Sequence, residues 1–416
     1  MPFPDAIERK TAASPRWLSI VGIGEDGVEG LSAAARGLIG AAEIVFGGRR
    51  HLRLAAPLIR GAARLWPSPF AGAADEVARH RERQICVLAS GDPFHYGVGT
   101  VLVRKINAHE MIVVPAPSAF SLAAARLGWP LPETVLLSAH ARSPDLIRPH
   151  LQPGSRVLVL TSDGDGPAAL AGVLSQAGFG RSRLTVLEAL GGPHERVRTT
   201  TAADFDLGAV DKLNTVAIEI EVAPDARVIA RSPGLADKLF EHDGQITKRQ
   251  VRAVTLSSLA PCRGELLWDV GAGAGSVAIE WMLADPLFMR AIAVEKRADR
   301  AARIHRNASA FGVPDLETVV GAAPAALASL AAPDAVFVGG GASERGVLDA
   351  AIAALRSGGR LVVNAVTLET EALLIARYAA LGGELIRITI ARADAVGGKT
   401  GWRSAMPITQ WVWAKP

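Results

Sequence analysis

The sequence predicts an α/β protein with a two-lobed N-terminal domain and a C-terminal Rossmann-like domain. Three observations predict it. Short apolar runs alternate with helical periodicity along most of the chain. Two unlike Gly-rich turns, at Gly22–Gly27 and Gly271–Gly275, each follow an apolar run. And 416 residues are too many for one ordinary core, so at least two domains are expected.

In the first half, Trp17–Gly22 reads as a strand and Leu31–Ala42 as a helix. Glu43–Phe46, Ile85–Ala89 and Met111–Val114 follow as buried strands. Ala71–His80, Gly99–Asn107 and Ser118–Leu127 are the helices between and after them, giving a parallel layer. A second lobe is expected after Pro130–Pro132. Its strands are Arg156–Thr161, Arg183–Ala189 and Thr215–Val222, and its helix is Pro167–Ala177. Residues 1–222 form this domain. Residues 223–243 mix Pro, Gly and charge and are expected to link it to the next.

The second domain, 244–416, opens with a helix at Ile246–Leu259. Strands at Leu266–Val270, Ala291–Glu295, Leu316–Val320, Ala335–Val338 and Arg360–Val363 alternate with helices at Ser276–Ala284, Ala301–Phe311 and Gly346–Leu355. That pattern predicts a doubly wound sheet.

Composition narrows the function. The net charge is only +4, from 45 basic and 41 acidic residues, with no dense basic run, so a nucleic-acid partner is not expected. The two cysteines, Cys86 and Cys262, make neither a disulfide framework nor a metal spacing, and no metal is expected. Met1–Pro15 carries both signs of charge and no apolar core, and no run of 18 uncharged apolar residues follows. A cytoplasmic protein without membrane association is expected.

Leu266–Glu295 carries the clearest chemistry. A strand runs into Gly271, Ala272, Gly273 and Gly275, then a helix, and Glu295 ends the next strand. Glycines allow a sharp turn and close backbone approach to a ligand, and a strand-end carboxylate can accept both ribose hydroxyls of an adenosine. A dinucleotide turn would carry Gly where Ser276 stands. Asp269 would repel a pyrophosphate but suits an amine-bearing cation. The pattern therefore favours S-adenosylmethionine (SAM) over a nicotinamide cofactor. In the first half, Gly22-Ile23-Gly24-Glu25-Asp26-Gly27 fits the literal G-x-G-x-x-G. The next strand, however, ends at Phe46-Gly47-Gly48 with no carboxylate, which leaves a plain glycine turn as the ordinary reading.

Two resemblances extend this reading. Ile246–Asn364 resembles the cobalamin-pathway methyltransferase family that decarboxylates and methylates precorrins. The likeness rests on Ile246–Arg252, Asp269–Glu280, Gly321–Pro324, Asp334–Gly341 and Gly358–Glu369. It implies that Thr247 and Gly321, Ala322 and Ala323 flank the cofactor. Asn364 is followed by Ala365 and not by the Pro-Pro-aromatic of amino-group methylases, which suits methylation at carbon. Trp17–Val222 resembles the tetrapyrrole methylase family, through Gly22–Gly27, Ala89–Gly97, Pro115–Ser121 and Leu187–Gly192. Gly47–Leu52 points to its C5-methylating branch, and Ala116 stands where Gly is more usual. This resemblance implies two α/β lobes with SAM in the cleft between them. It places Gly91, Asp92, Ser118 and Ala119 at a first SAM site and Gly24 and Asp26 toward substrate. Arg49, Arg50, His51, His140 and Arg142 become candidates for holding substrate carboxylates, as do Lys248, Arg252 and Arg403 in the second half.

The fusion implies two methylations of one precorrin in cobalamin biosynthesis: C5 by the first half, and C15, with loss of the C12 acetate carboxyl, by the second. Two SAM sites, a tetrapyrrole substrate and a homo-oligomer are expected. The enamine-like carbons of a reduced tetrapyrrole are already nucleophilic, so alignment matters more than a strong base. No catalytic acid or base is identifiable. The competing readings are an RNA methyltransferase, a nicotinamide-dependent oxidoreductase and a non-catalytic tetrapyrrole carrier.

Overall fold

The computed structural model describes residues 16–416; the Met1–Pro15 reading lies outside them. Contacts divide the chain into two compact units. One holds the residues up to Arg142 with Pro153–Ala226, the other Ser143–Gln152 with Arg227–Pro416.

The first unit contains two sheets. Strands β1 (Leu18–Ile23), β2 (Ile44–Gly47), β3 (Ala62–Leu65), β4 (Ile85–Ser90) and β5 (Met111–Val114) are all parallel, in the order β3-β2-β4-β1-β5. Successive residues face opposite sides of a strand. Ile20 and Phe46 thus join one apolar cluster, and Val21 and Val45 the other. Covering both faces is what a parallel sheet requires. The expected helix over Gly99–Asn107 is shorter, Gly99–Leu102. The second sheet is mixed: β6 (Thr134–Ser138), β7 (Arg156–Leu160), β8 (Arg183–Glu188), β9 (Arg196–Thr201) and β10 (Asn214–Glu219), in the order β6-β7-β10-β8-β9. β9 escaped prediction because its sequence is Arg-Val-Arg-Thr-Thr-Thr. Both arginines reach back to the buried Glu188.

The second unit is built on seven strands: β11 (Leu266–Val270), β12 (Arg290–Glu295), β13 (Glu317–Val320), β14 (Ala335–Val338), β15 (Arg360–Ala365), β16 (Glu384–Ile388) and, after a separate hairpin, β19 (Ile408–Ala414). Their order is β13-β12-β11-β14-β15-β19-β16, with β19 antiparallel to both neighbours. The hairpin is β17 (Ala391–Val396) with β18 (Lys399–Ser404). The helix Ala298–Phe311 shows the local logic. Its buried residues Ala301, Ile304, Ala308 and Phe311 recur at helical spacing, and Gly312 ends it at φ +76°.

Residues 223–243 divide between the units instead of forming a free tether. Ile229, Leu235 and Phe240 are buried in the second core, and Phe240 stacks on Phe311 at 4.3 Å. Pro, Gly and charge hid these anchors, because the segment packs as irregular chain. Its backbone N–H groups at Gly234 and Leu235 donate to the buried Glu280 at 2.6 and 3.0 Å. Among the described residues no helix is long and apolar enough to cross a membrane.

Candidate functional site

In the second unit a cavity of about 850 Å³ opens over the carboxyl ends of the parallel strands. Open α/β sheets bind ligands at that edge, where the loops diverge. Gly271, Gly273 and Gly275 all have positive φ (+72°, +58° and +74°). At Gly271 an added Cβ would meet the Gly340 carbonyl at 2.6 Å, so the turn after β11 and the loop after β14 fit only without a side chain. Gly275 begins the helix Ser276–Leu283 and packs on Ile304, beneath the lining.

Glu295 ends β12 and lines the cavity. Its two carboxylate oxygens accept backbone N–H groups from Gly273 at 2.9 Å and Arg297 at 3.0 Å. One lone pair on each oxygen remains for a ligand. Its backbone carbonyl accepts from Gly321 at 3.0 Å, which ties the loop after β13 to the same corner. Ala272, Gly321, Ala322, Ala323, Thr247 and Lys248 line the cavity with it.

Three expected residues are placed elsewhere. Asp269 lies behind the turn, fully buried, with its carboxylate accepting from Ala278 N at 3.1 Å. Burial, and then nearby Glu295, push its carboxyl up to about 7, against the hydrogen bond from Ala278. It braces the turn against the helix and is not part of the cavity lining. Arg252, expected to hold a substrate carboxylate, is not part of the cavity lining. It is 0% exposed, and its nitrogens are committed to Glu280, Asp237 and the carbonyls of Thr247 and Leu235. A buried cation persists only with such partners, so the sequence showed a basic residue whose charge serves packing. Arg403 stands on the exposed hairpin, paired with Asp394 at 3.0 Å. The residue opposite it in register, Arg392, lines the cavity instead.

Arg392, Asn364, Lys296 and Glu344 were missed, as was the apolar wall of Val366, Ile388, Ile390 and Met406. Most of these follow Val363, beyond the last predicted strand. Enrichment in β-branched and aromatic residues over Glu384–Ile388 and Ile408–Ala414 was the available signal.

In the first unit three strand ends converge. A Cβ on Gly22 would lie 1.9 Å from the Gly91 carbonyl and 2.6 Å from Ala116 N, so the ends of β1, β4 and β5 touch through bare backbone. Gly91, at φ +54°, abuts Ser118 in turn. Ser118 caps the helix Ala119–Leu127 by accepting from Ser121 N at 3.1 Å. Asp92 accepts from Phe94 N at 2.8 Å. Asp26 folds back over Gly24 and Gly30. The second lobe meets this edge: a Cβ on Gly192 would lie 2.5 Å from that of Glu25, and one on Gly191 would touch Leu122.

Arg50 and His51 join this cluster. Arg50 pairs with Glu25 and donates to Ser90 Oγ at 2.6 Å, while His51 Nε2 lies 2.8 Å from the same oxygen. Burial, and then Arg50, bring the imidazole down to about 4. His51 is therefore neutral near pH 7. Arg49 and His140 are exposed. The charge of Arg142 bears on the Tyr96 hydroxyl, whose pKa burial raises.

Known proteins match both units. Residues 18–206 fit the family model of tetrapyrrole (corrin/porphyrin) methylases, and residues 238–415 that of the precorrin methyltransferase domain. The precorrin-6Y C(5,15)-methyltransferase [decarboxylating] of Sinorhizobium sp is 58% identical over 411 residues, 99% of each chain. A probable cobalt-precorrin-6B C(15)-methyltransferase (decarboxylating) of Pyrobaculum calidifontis is 36% identical, covering 42% of this chain and 93% of its own. The cobalt-precorrin-7 C(5)-methyltransferase of Salmonella typhimurium is 29% identical, covering 46% of this chain and 96% of its own. The oxidoreductase, RNA-methylating and carrier readings fall away, and the chain belongs to the precorrin-6Y C5,15-methyltransferase (decarboxylating) family of SAM-dependent methyltransferases.

Proposed function

We propose that this chain adds methyl groups to C5 and C15 of precorrin-6Y and removes its C12 acetate carboxyl, with one SAM site in each unit. The first unit acts at C5. The second acts at C15 and releases carbon dioxide. Relatives carrying one activity each span less than half of this chain and nearly all of themselves, which supports separable modules.

The observation that carries the reading is how the second cavity's lining is laid out along the sheet. Glu295, the Gly271–Gly273 turn and Gly321–Ala323 sit over β12, β11 and β13. Asn364 and the apolar wall sit over β15, β16 and β19, on the other side of β14. Three strand spacings, about 14 Å, separate the ends of β12 and β15. One end suits an adenosine: two carboxylate oxygens for its hydroxyls and side-chain-free backbone beside it. The other suits a flat apolar macrocycle, with Lys248 and Arg392 for its carboxylates. When bound, SAM supplies an electrophilic methyl group. The protein's residues align the ring carbon with it, and the apolar wall keeps water from the departing carboxylate.

In the first unit Gly91, Asp92, Ser118 and Ala119 hold the cofactor. Gly24, Asp26, Arg49, Arg50, His51, His140 and Arg142 face the substrate. The near balance of charge supports a small-molecule partner in place of nucleic acid. The exposed Leu368, Ile375, Tyr378 and Leu381 of the helix Leu368–Leu381 support a homo-oligomer.

Mass spectrometry of the product from precorrin-6Y, SAM and the full chain tests the reading: two methyl groups gained and one carbon dioxide lost. No methyl gain refutes it. Glu295→Ala should weaken one component of the SAM isotherm about 10- to 100-fold, as expected for hydrogen bonds to a charged group, and leave the other alone. An unchanged isotherm removes Glu295 from the cofactor site.

A further inference from the structure

Asn364, near the end of β15, is held by partners that have no contact with solvent. It lies opposite Gln410 in the antiparallel register of β15 and β19, so both side chains emerge on one face. Gln410 is 0% exposed. Its amide donates to Asn364 Oδ1 at 2.9 Å and to Thr255 Oγ1 at 3.2 Å, and accepts from Ser258 Oγ at 2.8 Å. Asn364 Nδ2 donates to Thr255 Oγ1 at 3.0 Å. Thr255 and Ser258 lie one turn apart on the helix Arg249–Leu259, which packs over that face. Every amide hydrogen and oxygen of Gln410 is thus used, and the Asn364 amide plane is fixed from two sides.

One N–H of Asn364 remains, and Asn364 lines the cavity. It stands two strand spacings, about 10 Å, from the glycine turn of β11. Its neighbours in the lining include Val366, an apolar residue, while the cations Lys248 and Arg392 line the same space.

We propose that Asn364 is a catalytic residue of the second site: its remaining amide N–H holds the acetate carboxylate that is lost as carbon dioxide. This deepens the function proposed above and rests on it. The physical reason is the neutrality of the donor. In decarboxylation the bond between the acetate methylene and its carboxylate breaks. The electron pair passes into the conjugated macrocycle, carbon dioxide leaves uncharged, and the methylene carbon takes a proton from solvent. Negative charge therefore departs from the carboxylate as the barrier is climbed. An Arg or Lys on that group would stabilise the starting state more than the transition state, whereas only differential binding speeds the step. A neutral amide, locked by Gln410 and Thr255, fixes the orientation of the carboxylate with less of that penalty. The cations are left for carboxylates that stay.

The test uses the full chain with precorrin-6Y and SAM. Carbon dioxide release, methyl count and SAM affinity by calorimetry are measured for wild type, Asn364→Ala and the near-isosteric Asn364→Asp. Asn364→Ala should release carbon dioxide about 10- to 100-fold more slowly, the range for losing a hydrogen bond to a charged group. The loss should lie in kcat more than in KM. SAM affinity and C5 methylation should match wild type, which also shows that the chain is folded. Asn364→Asp should be slower still, because it sets an anion against the carboxylate. Wild-type carbon dioxide release by Asn364→Ala overturns the proposal. So does a fall in SAM affinity that accounts for the lost rate. A wild-type chain that adds methyl groups yet releases no carbon dioxide overturns the assigned decarboxylation itself, independently of either variant.

Discussion

The two glycine turns differ in glycine spacing, and they are built differently. After β11, three glycines with positive φ lead directly into a helix, and Glu295 at the end of β12 accepts a hydrogen bond from the turn. After β1, glycine is needed at Gly22 because three strand ends meet there, and the chain runs on to Leu31 before the helix Ala33–Ala41 begins. The sheet order explains the contrast. β12 lies beside β11, so the strand that follows in sequence is also the neighbour in space. β2 is separated from β1 by β4. What reaches the first turn from the β2 end is a cation, Arg50, which pairs with Glu25. No acid stands at Phe46-Gly47-Gly48, and the end of β2 is not the sheet neighbour of the first turn.

The largest effects come from filling either turn. Gly22→Ala sets a methyl group 1.9 Å from the Gly91 carbonyl, and Gly271→Ala sets one 2.6 Å from the Gly340 carbonyl at a positive φ. Backbone cannot yield as a side chain can, and each substitution should cost on the order of 3 kcal/mol or more locally. SAM titration by calorimetry should show one site lost in each variant, a different one in each. Two sites retained in Gly22→Ala would mean that the convergence of β1, β4 and β5 is not part of a cofactor site.

Asp269 gives the next effect. Its folded pKa of about 7 lies above the ordinary carboxyl range, through burial first and Glu295 second. The folded state then holds a proton that the unfolded chain has released. Stability from this group is present at low pH and lost as pH rises toward about 7, by about 3 kcal/mol between about pH 5 and 8. Asp269→Asn keeps the acceptor for Ala278 N and removes the titration. Hydrogen exchange of β11 should speed up with pH, beyond its intrinsic pH dependence, in wild type and not in the variant. Identical corrected profiles would refute the raised pKa.

Much of this architecture was legible, and the reasons are specific. β11, β12 and β14 are buried on both faces and read as continuous apolar runs. The Gly271–Glu295 corner was legible because backbone geometry dictates its residue types. What could not be read depends on long-range partners. Arg252 looks like a ligand residue until Glu280 and Asp237 are seen around it. Asp269 looks like a ligand carboxylate until its oxygen is found on Ala278 N. Asn364 gains its fixed orientation from Gln410, which lies 46 residues away in sequence and opposite it in register. Arg403 and Arg392 are both basic residues of one hairpin, and only the placement of that hairpin decides which lines the cavity.

The smallest effect has the opposite sign, at the first site. His51 Nδ1 is buried with no hydrogen-bond partner, and Nε2 shares Ser90 Oγ with Arg50. Charging the ring would add a second cation beside Arg50 in a partly desolvated place, which is why its pKa falls to about 4. Here the unfolded chain binds the proton first. Stability from His51 is present above about pH 6.5 and lost as pH falls toward about 4. Between about pH 7 and 5 the loss should be about 2 kcal/mol. His51→Gln removes it while leaving a polar group near Ser90. Corrected exchange rates in β1 and β4 should rise on acidification in wild type and stay level in the variant, while β11 becomes more protected over the same range. Were both units to weaken together in acid, the two turns would not differ in electrostatics as their partners indicate.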